Sequence, residues 1–342
     1  MKKYSFLVSG LALMMLATGT VKAEETPVVN GSSLQVTKSF GLTEGVLSPA
    51  TDFTFSITPQ NVADSTETKD GLTVYSGIVN DMVTQKTISY SNTDTMETKD
   101  KTTDFDFSGV NYPKPGVYRY LVTETSGNTP GVTYSNKKYV VDVYVLSEGD
   151  TIKPKYIISR QEGSEAKEPI KFDNALKTTA LTVTKKVTGN AGDKNKEFEF
   201  KLTLTANELY KSGSIEAKIN KKGDLVDSKQ FSIGENTFKL KDGERLDIAK
   251  LPIGVTYKVE EIGSEDYQKT ATIDKDTNDG VDKQEAYAFA EQTSDATSDA
   301  IVVTNNKNIN TPTGVAMAIA PYAVMTLVGI GGVLYFVKNK KA

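Results

Sequence analysis

The sequence predicts an all-β protein built from two tandem β-sandwich domains. Residues that favour strands are abundant, with 16 tyrosines and 13 phenylalanines among the 342 residues. Most of the chain consists of short segments that alternate apolar and polar residues and are separated by polar turns, as in β-sandwiches. Four of these segments recur in the same order in the second half of the chain. The repeat indicates that one sandwich is followed by a second of the same kind.

The internal repeat also sets the expected domain limits. The paired segments are Leu34–Lys38 with Leu181–Lys185, Phe53–Thr58 with Phe198–Thr203, Tyr120–Glu124 with Tyr257–Glu261, and Ile170–Asn174 with Ile301–Asn305. In each half the first and last of these segments stand near the two ends of the unit. We therefore expect one domain in residues 24–176 and the other in residues 177–309.

The N-terminus has the features of a secretory signal. Lys2 and Lys3 precede an apolar run over residues 6–17, and the small residues of 21–23 suit signal peptidase. The apolar run is shorter than the ~20 residues that span a bilayer, which disfavours a permanent membrane anchor. We expect residues 1–23 to be removed and Glu24 to begin the mature chain.

The C-terminus, residues 310–342, combines three features. An uncharged, apolar stretch over residues 315–337 is long enough to cross a membrane, and lysines follow it at once, which favours a cytoplasmic tail. The pentapeptide immediately before the stretch is Asn310, Thr311, Pro312, Thr313, Gly314. This order resembles the cell-wall sorting signal that sortases recognise, and the resemblance implies cleavage after Thr313 and transfer of Thr313 to an amine. The alternative is an ordinary single-span membrane protein.

The pentapeptide departs from the common Leu-Pro-x-Thr-Gly form of that signal. Asn310 and Thr311 stand in place of its leucine and proline, and Pro312 comes third. The departure favours a dedicated pilin polymerase over the housekeeping sortase that anchors proteins to the wall.

Two missing residue types exclude several function classes. The chain has no cysteine and no histidine, so disulfides, cysteine nucleophiles, Ser-His-Asp catalysis and His-ligated zinc are all excluded. The net charge of −4 gives no indication of nucleic-acid binding. The acidic stretch 274–280 has its glycine one place late for an EF-hand and lies between predicted strands, so a solvated turn is expected there. We expect neither a metal nor a cofactor.

Strand alternation directs three polar side chains of each half towards the apolar core. Side chains two residues apart in a strand point the same way, so each polar residue shares a face with apolar neighbours. The predicted inward residues are Lys38, Glu124 and Asn174 in the first half, and Lys185, Glu261 and Asn305 in the second. Glu260, next to Glu261, has the opposite phase.

Burial of these groups twice, at matching positions, calls for a chemical reason. A lone buried lysine or glutamate is costly unless it is neutralised or paired. Burial favours the neutral, nucleophilic amine of lysine and the protonated form of glutamate. The amine could attack the asparagine side chain while the glutamate donates to the amide carbonyl and carries protons, releasing ammonia. The alternative is a buried Lys–Glu ion pair with an asparagine that caps a strand.

The order Lys, Glu, Asn, together with the sorting signal, resembles that of the streptococcal T-antigen (FctA-type) major pilins. The resemblance extends through both halves of the chain. It implies immunoglobulin-like sandwiches, each closed by a self-generated isopeptide bond with a catalytic glutamate. The implied bonds are Lys38–Asn174 with Glu124, and Lys185–Asn305 with Glu261.

The resemblance also implies a polymer whose subunits are joined through Thr313 to a lysine of the next subunit. Lys167, just before the last strand of the first half, matches the acceptor region of these pilins, while Lys114 lies in a Tyr-Pro-Lys sequence similar to that of another pilus family. The expected partners are other copies of the chain, a pilin sortase, minor pilins and peptidoglycan, at the cell wall and in the surface pilus. A non-polymerised, wall-anchored adhesin is the alternative, and it would not need an acceptor lysine.

Overall fold

The computed structural model describes residues 28–62 and 67–310. Strands make up nearly all of its regular structure, and the described helical structure is one 3-10 turn at Met96–Thr98. The predicted all-β class is therefore confirmed. Within the described ranges no helix has the length and apolarity to span a membrane. The predicted signal peptide and the predicted span 315–337 lie outside the described residues.

Each half of the chain contributes its own strands. The first half contains β1 (Val28–Asn30), β2 (Ser33–Phe40), β3 (Thr51–Pro59), β4 (Thr68–Lys69), β5 (Leu72–Ser76), β6 (Gln85–Tyr90), β7 (Asp100–Asp106), β8 (Gly116–Glu124), β9 (Val132–Thr133), β10 (Lys138–Glu148), β11 (Thr151–Gln161) and β12 (Ile170–Leu176). The second half contains β13 (Thr178–Thr188), β14 (Phe198–Thr205), β15 (Ser214–Lys221), β16 (Asp224–Ser232), β17 (Gly234–Leu240), β18 (Glu244–Pro252), β19 (Thr256–Ile262), β20 (Gln268–Asp274), β21 (Glu285–Ala286), β22 (Gln292–Thr293) and β23 (Asp299–Asn306).

The strands form two immunoglobulin-like sandwiches in tandem. In the first, an eight-stranded sheet with the order β1-β11-β10-β8-β3-β6, to which β4 and β5 are added beside β8, packs on the four-stranded sheet β7-β2-β12-β9. In the second, the seven-stranded sheet β16-β15-β18-β13-β23-β20-β21 packs on the four-stranded sheet β17-β14-β19-β22. Strand β12 pairs only within the first half and β13 only within the second. We propose that the domains divide at Leu176.

The first and last long strands of each sandwich lie side by side and run parallel. Strand β2 pairs with β12 so that Lys38 lies opposite Phe172. Strand β13 pairs with β23 so that Lys185 lies opposite Val303. In both halves the asparagine is two residues beyond the residue opposite the lysine. The two sandwiches therefore bring their lysine and asparagine together at the same register.

The first domain contributes one apolar side chain to the core of the second at the junction between the domains. Leu47, in the loop between β2 and β3, is 5% exposed and packs into the core of the second domain. Asn92 bridges the same junction, because its side-chain nitrogen donates to the carbonyl oxygens of Ser48 at 2.8 Å and Leu209 at 2.7 Å. The backbone N–H of Lys211 donates to the Asn92 side-chain oxygen at 2.9 Å. The junction is thus held by both apolar packing and hydrogen bonds.

Candidate functional site

Each sandwich places one lysine, one glutamate and one asparagine in its core, and the glutamate contacts both of the other side chains. In the first domain the lysine and asparagine come from the four-stranded sheet and Glu124 comes from β8 in the facing sheet. In the second domain the lysine and asparagine come from the seven-stranded sheet and Glu261 comes from β19 in the four-stranded one. The glutamate therefore reaches the other two residues across the core in both domains.

In the first domain Glu124 contacts both other residues. Lys38 Nζ lies 3.4 Å from Glu124 Oε2, and Asn174 Nδ2 donates to Glu124 Oε1 at 2.5 Å. Lys38 also donates to the carbonyl oxygen of Phe172 at 3.3 Å, and its Nζ lies 4.3 Å from the centre of the Phe53 ring. The Lys38 side chain is fully buried, so no water competes for these contacts. One carboxyl group therefore holds the amine and the amide together.

The second domain repeats this arrangement with a shorter lysine contact. Lys185 Nζ lies 2.6 Å from Glu261 Oε2, and Asn305 Nδ2 donates to Glu261 Oε1 at 2.5 Å. Lys185 Nζ lies 4.2 Å from the centre of the Phe198 ring, which matches Phe53 in the internal repeat. Lys185 and Asn305 are both completely buried. The neighbouring Glu260 instead forms a partly exposed ion pair with Lys258.

Burial sets the protonation of the lysines. It lowers the pKa of Lys38 to about 8 and that of Lys185 to about 8, because the charged ammonium loses its water. Burial likewise raises the pKa of Glu124, against the lowering effect of Lys38. The opposite shifts of Lys38 and Glu124 favour a neutral amine beside a protonated carboxyl group. Such an amine is a nucleophile, and such a carboxyl group is a general acid.

The amide of Asn174 is oriented by a contact that the sequence did not predict. The backbone N–H of Ser135 donates to Asn174 Oδ1 at 2.8 Å, which leaves Nδ2 to face Glu124. We expected the glutamate to donate to the amide carbonyl, but in the first domain that oxygen faces Ser135 instead. The physical reason is that an N–H donor requires an oxygen acceptor, so it fixes which way the amide turns. No strand pattern marks Ser135, which precedes β10 in a loop.

The two candidate acceptor lysines lie at the surface of the first domain. Lys167 is exposed in the connection between β11 and β12, where it forms an isolated bridge with Arg160. Within the described ranges its amine has no ion pair. Lys114 is also exposed, but its Nζ lies 4.4 Å from the centre of the Tyr75 ring. Of the predicted sorting motif, Asn310 is described and exposed, whereas Thr311, Pro312, Thr313 and Gly314 lie outside the described residues.

The described part of the chain holds no candidate metal site. No cluster of three or more acidic residues there could hold a metal ion. Asp142, which is fully buried, is instead surrounded by the cations of Arg119, Arg160 and Lys69 at 2.6–2.8 Å. These cations hold the pKa of Asp142 below its usual range, against the effect of its burial. Asp142 is thus a structural anion on the outer face of the larger sheet.

Comparison with known proteins identifies the family. Residues 34–177 match the FctA family profile, described as the Spy0128-like isopeptide containing domain, and residues 179–307 match a domain of unknown function, DUF7601. A pilin of Streptococcus pyogenes serotype M1 is 41% identical over 350 residues, covering all of both chains. The pilus tip adhesin Cpa of Streptococcus pyogenes is 36% identical over 118 residues, which are 33% of this chain and 16% of the adhesin.

A solved structure shows the same architecture. The major pilin protein T3.2 of Streptococcus pyogenes superposes with a TM-score of 0.74 at 40% identity, covering 82% of this chain and 100% of that one. The full-length identity to a pilin and the shared two-domain fold agree with the paired sites in the two cores. The chain belongs to the family of the FctA-type major pilins, the backbone subunits of surface pili.

Proposed function

We propose that this pilin closes each of its domains with a self-generated isopeptide bond and is then polymerised by a sortase. The observation that carries the first step is that one buried glutamate contacts both a lysine amine and an asparagine amide in each domain. The same register in both halves supports a common reaction. The products would be the bonds Lys38–Asn174 and Lys185–Asn305.

The reaction in the first domain begins with the proton shared by Lys38 and Glu124. With the proton on Glu124, the neutral amine attacks Cγ of Asn174, and negative charge develops on Oδ1, where the N–H of Ser135 donates to it. Glu124 gives its proton to Nδ2 and takes one from Nζ. The C–Nζ bond forms, the C–Nδ2 bond breaks and ammonia leaves. Glu124 ends as it began, and an uncharged amide replaces a buried ion pair.

Intact mass measurement tests this step. The recombinant segment 24–313 should be lighter by two ammonia masses than its sequence requires, and tryptic digestion should yield linked peptides that join the proposed pairs. Glu124→Ala and Glu261→Ala should each restore one ammonia mass. A mass equal to that of the unmodified sequence would exclude the crosslinks and leave two buried Lys–Glu ion pairs.

For the second step we propose that a sortase cleaves after Thr313 and joins it to Lys167 of the next subunit. The exposed amine of Lys167, which forms no ion pair with the described residues, and its fixed place between β11 and β12 support this lysine over Lys114, whose amine lies on a tyrosine ring. The resulting polymer would be joined to minor pilins and to peptidoglycan at the cell wall. Before cleavage the apolar segment 315–337 would hold the subunit in the membrane.

Polymer formation in a host that carries the cognate pilin sortase tests the acceptor. Lys167→Arg should abolish the ladder of detergent-resistant multimers, because the guanidinium remains charged and is a poor nucleophile. Lys114→Arg is the matched control and should leave the ladder intact. The reverse result would assign the joint to Lys114.

A further inference from the structure

The second crosslinking site differs from the first in the surroundings of its amide. Asn305 Oδ1 is buried and has no hydrogen-bond partner among the described residues. In the first domain the equivalent oxygen of Asn174 receives the N–H of Ser135. Among the described residues, the donor that would stabilise negative charge on the amide oxygen is thus present in one site and missing at the same place in the other.

A serine hydroxyl lies on the other side of the Asn305 amide. Ser264 Oγ donates to Glu261 Oε1 and lies 3.4 Å from Asn305 Nδ2. Ser264 is half-buried in the turn that follows β19, so its hydroxyl faces the core from the edge of the sandwich. It is the one side chain outside the triad with hydrogen bonds to both Glu261 and Asn305 in the described structure.

The backbone around Ser264 is held in an unusual conformation. Gly263 has a φ of 73° and Ser264 a φ of 65°, so two consecutive residues are in the left-handed region, which is unfavourable for a serine. Lys269 lies in β20, a strand of the facing sheet, and fixes this turn. Its Nζ donates to the carbonyl oxygens of Glu261 at 2.9 Å and Gly263 at 3.2 Å. A strained residue held in place beside reactive groups is typical of a functional constraint.

The geometry allows the amide of Asn305 to turn. Nδ2 donates to Glu261 and Ser264, but no donor among the described residues fixes Oδ1, and a rotation of 180° about the last side-chain bond exchanges the positions of the two atoms. The carbonyl oxygen then lies beside the hydroxyl of Ser264 and the carboxyl group of Glu261. Both groups can donate to it when Glu261 is protonated. This orientation matches the donation to the carbonyl that the sequence led us to expect.

We propose that Ser264 is the positioning residue of the second crosslink, and that its hydroxyl takes the part that the Ser135 N–H takes in the first. This inference rests on the proposed isopeptide chemistry. With the amide turned, Lys185 Nζ attacks Cγ of Asn305 while the hydroxyl of Ser264 donates to the oxygen as it gains charge. Rotation about the Cβ–Cγ bond of the resulting tetrahedral centre then brings Nδ2 back beside Glu261, which gives it a proton and takes one from Nζ. Ammonia leaves and the C–Nζ bond remains. Ser264 keeps its own proton throughout.

The test follows both crosslinks during synthesis of the full mature chain. Cell-free translation of segment 24–313 is stopped at intervals, and the linked peptides Lys38–Asn174 and Lys185–Asn305 are quantified by mass spectrometry. Ser264→Gly removes the hydroxyl at a backbone conformation that glycine adopts without strain. Removal of one oxyanion donor typically slows a reaction by roughly a hundredfold or more. The second crosslink should therefore form at least about tenfold more slowly. The first crosslink in the same molecules should keep its rate.

Two further variants separate positioning from folding. Ser264→Ala also lacks the hydroxyl, so it should slow the second crosslink to the same extent. Lys222→Gly makes the same change at an exposed residue of the second domain that also has a positive φ (53°), and it should leave both rates unchanged. In a Glu261→Ala background, where no second bond forms, Ser264→Gly should leave the melting temperature unchanged or higher, which separates a slow reaction from a damaged fold.

The possible outcomes are distinct. An unchanged rate of the second crosslink in Ser264→Gly would overturn the role of Ser264 while leaving the proposed chemistry in place. Equal slowing of both crosslinks would also overturn it, because a general folding defect would then be the cause. Absence of both linked peptides from the unsubstituted chain would instead remove the proposed function itself.

Discussion

At the scale of single residues, the chemistry of this pilin depends on the burial of charge. Lys38 and Lys185 are completely buried, and each faces one carboxyl group and at least one aromatic ring. Burial of such a pair can destabilise the fold, because desolvation of the two charges costs several kcal/mol and their mutual attraction does not always offset this cost. In the proposed reaction, conversion to an amide would remove both charges from the core. The groups that destabilise the unreacted fold are thus the groups that we propose to react.

The cost of this burial predicts how the stability of an unlinked domain depends on pH. Asn174→Ala leaves Lys38 as a free amine with a pKa of about 8, below the ordinary lysine value of 10.5. Between about pH 8 and 10 the unfolded chain binds more protons than the folded one, so the free energy of unfolding of the first domain should rise with pH. The slope should approach about 1.4 kcal/mol per pH unit. Below about pH 8 the amine is charged in both states and this contribution to the slope vanishes.

Urea unfolding at several pH values measures this effect. The control is the double variant Lys38→Met with Asn174→Ala, which lacks the titrating amine and should lose the slope. This pH window ends at about pH 10. Burial raises the pKa of Tyr90 and of other buried tyrosines, so above this pH the tyrosines ionise first in the unfolded chain and lower the free energy of unfolding. Equal slopes for the single and double variants would show that Lys38 does not titrate in this range.

At the scale of strands, local alternation was enough to predict much of the site. A strand turns successive side chains to opposite faces, so the burial of Lys38, Asn174 and Glu124 follows from their apolar neighbours. The internal repeat then predicted the second site by analogy. Alternation does not predict the parallel pairing of the first and last strands, because pairing partners depend on the whole topology.

The sequence pattern did not predict turn geometry or long-range contacts. Ser264 follows the end of β19, where strand phase no longer applies, and its position depends on Lys269 from another strand. The N–H of Ser135 belongs to the backbone, which no residue pattern reveals. Both features surround the amide groups that the repeat identified. Sequence reasoning therefore predicted the triad residues better than the groups that orient them.

The proposed bond between the first and last strands of a domain should stabilise it strongly, because it closes a long loop. A link from Lys185 to Asn305 closes a loop of about 120 residues, which stabilises by ~4–5 kcal/mol in the chain-entropy treatment of disulfides. Asn305→Ala should therefore lower the free energy of unfolding of the second domain by at least about 4 kcal/mol. Asn306→Ala, one residue later on the outer face, should change it by less than about 0.5 kcal/mol.

Urea-dependent hydrogen exchange, read on peptides of each domain separately, measures this difference. Peptides of β23 should lose protection in Asn305→Ala, while those of β12 in the first domain keep it. Similar losses in Asn305→Ala and Asn306→Ala would indicate that the bond contributes little beyond the packing around it.

At the scale of the whole molecule, the junction between the domains joins the two sandwiches through side-chain contacts. Leu47 belongs to the first domain by sequence but packs into the second core, where Gly213 leaves room for its side chain. A Cβ at position 213 would collide with Leu47. This contact places a side chain of the first domain in the core of the second. The two sandwiches therefore share a junction rather than a free linker.

The bridging role of Asn92 makes the stiffness of this junction testable. Asn92→Ala removes one donor and one acceptor that reach the backbone of residues 209–211 in the second domain. The carbonyl oxygen of Leu209 keeps the N–H of Ala50 as a donor, but the N–H of Lys211 loses its acceptor. A backbone group left without a partner costs about 1–3 kcal/mol where water cannot replace it, so states in which the domains separate should become populated. Small-angle X-ray scattering of segment 24–313 should then show a broader distribution of interdomain distances, with both crosslinks still present by mass. Asn111→Ala, at an exposed position, is the control and should scatter like the unsubstituted chain. Identical scattering of Asn92→Ala and the control would show that the Asn92 bridge is not needed for the stiffness, and Leu47→Ala would then test the apolar contact.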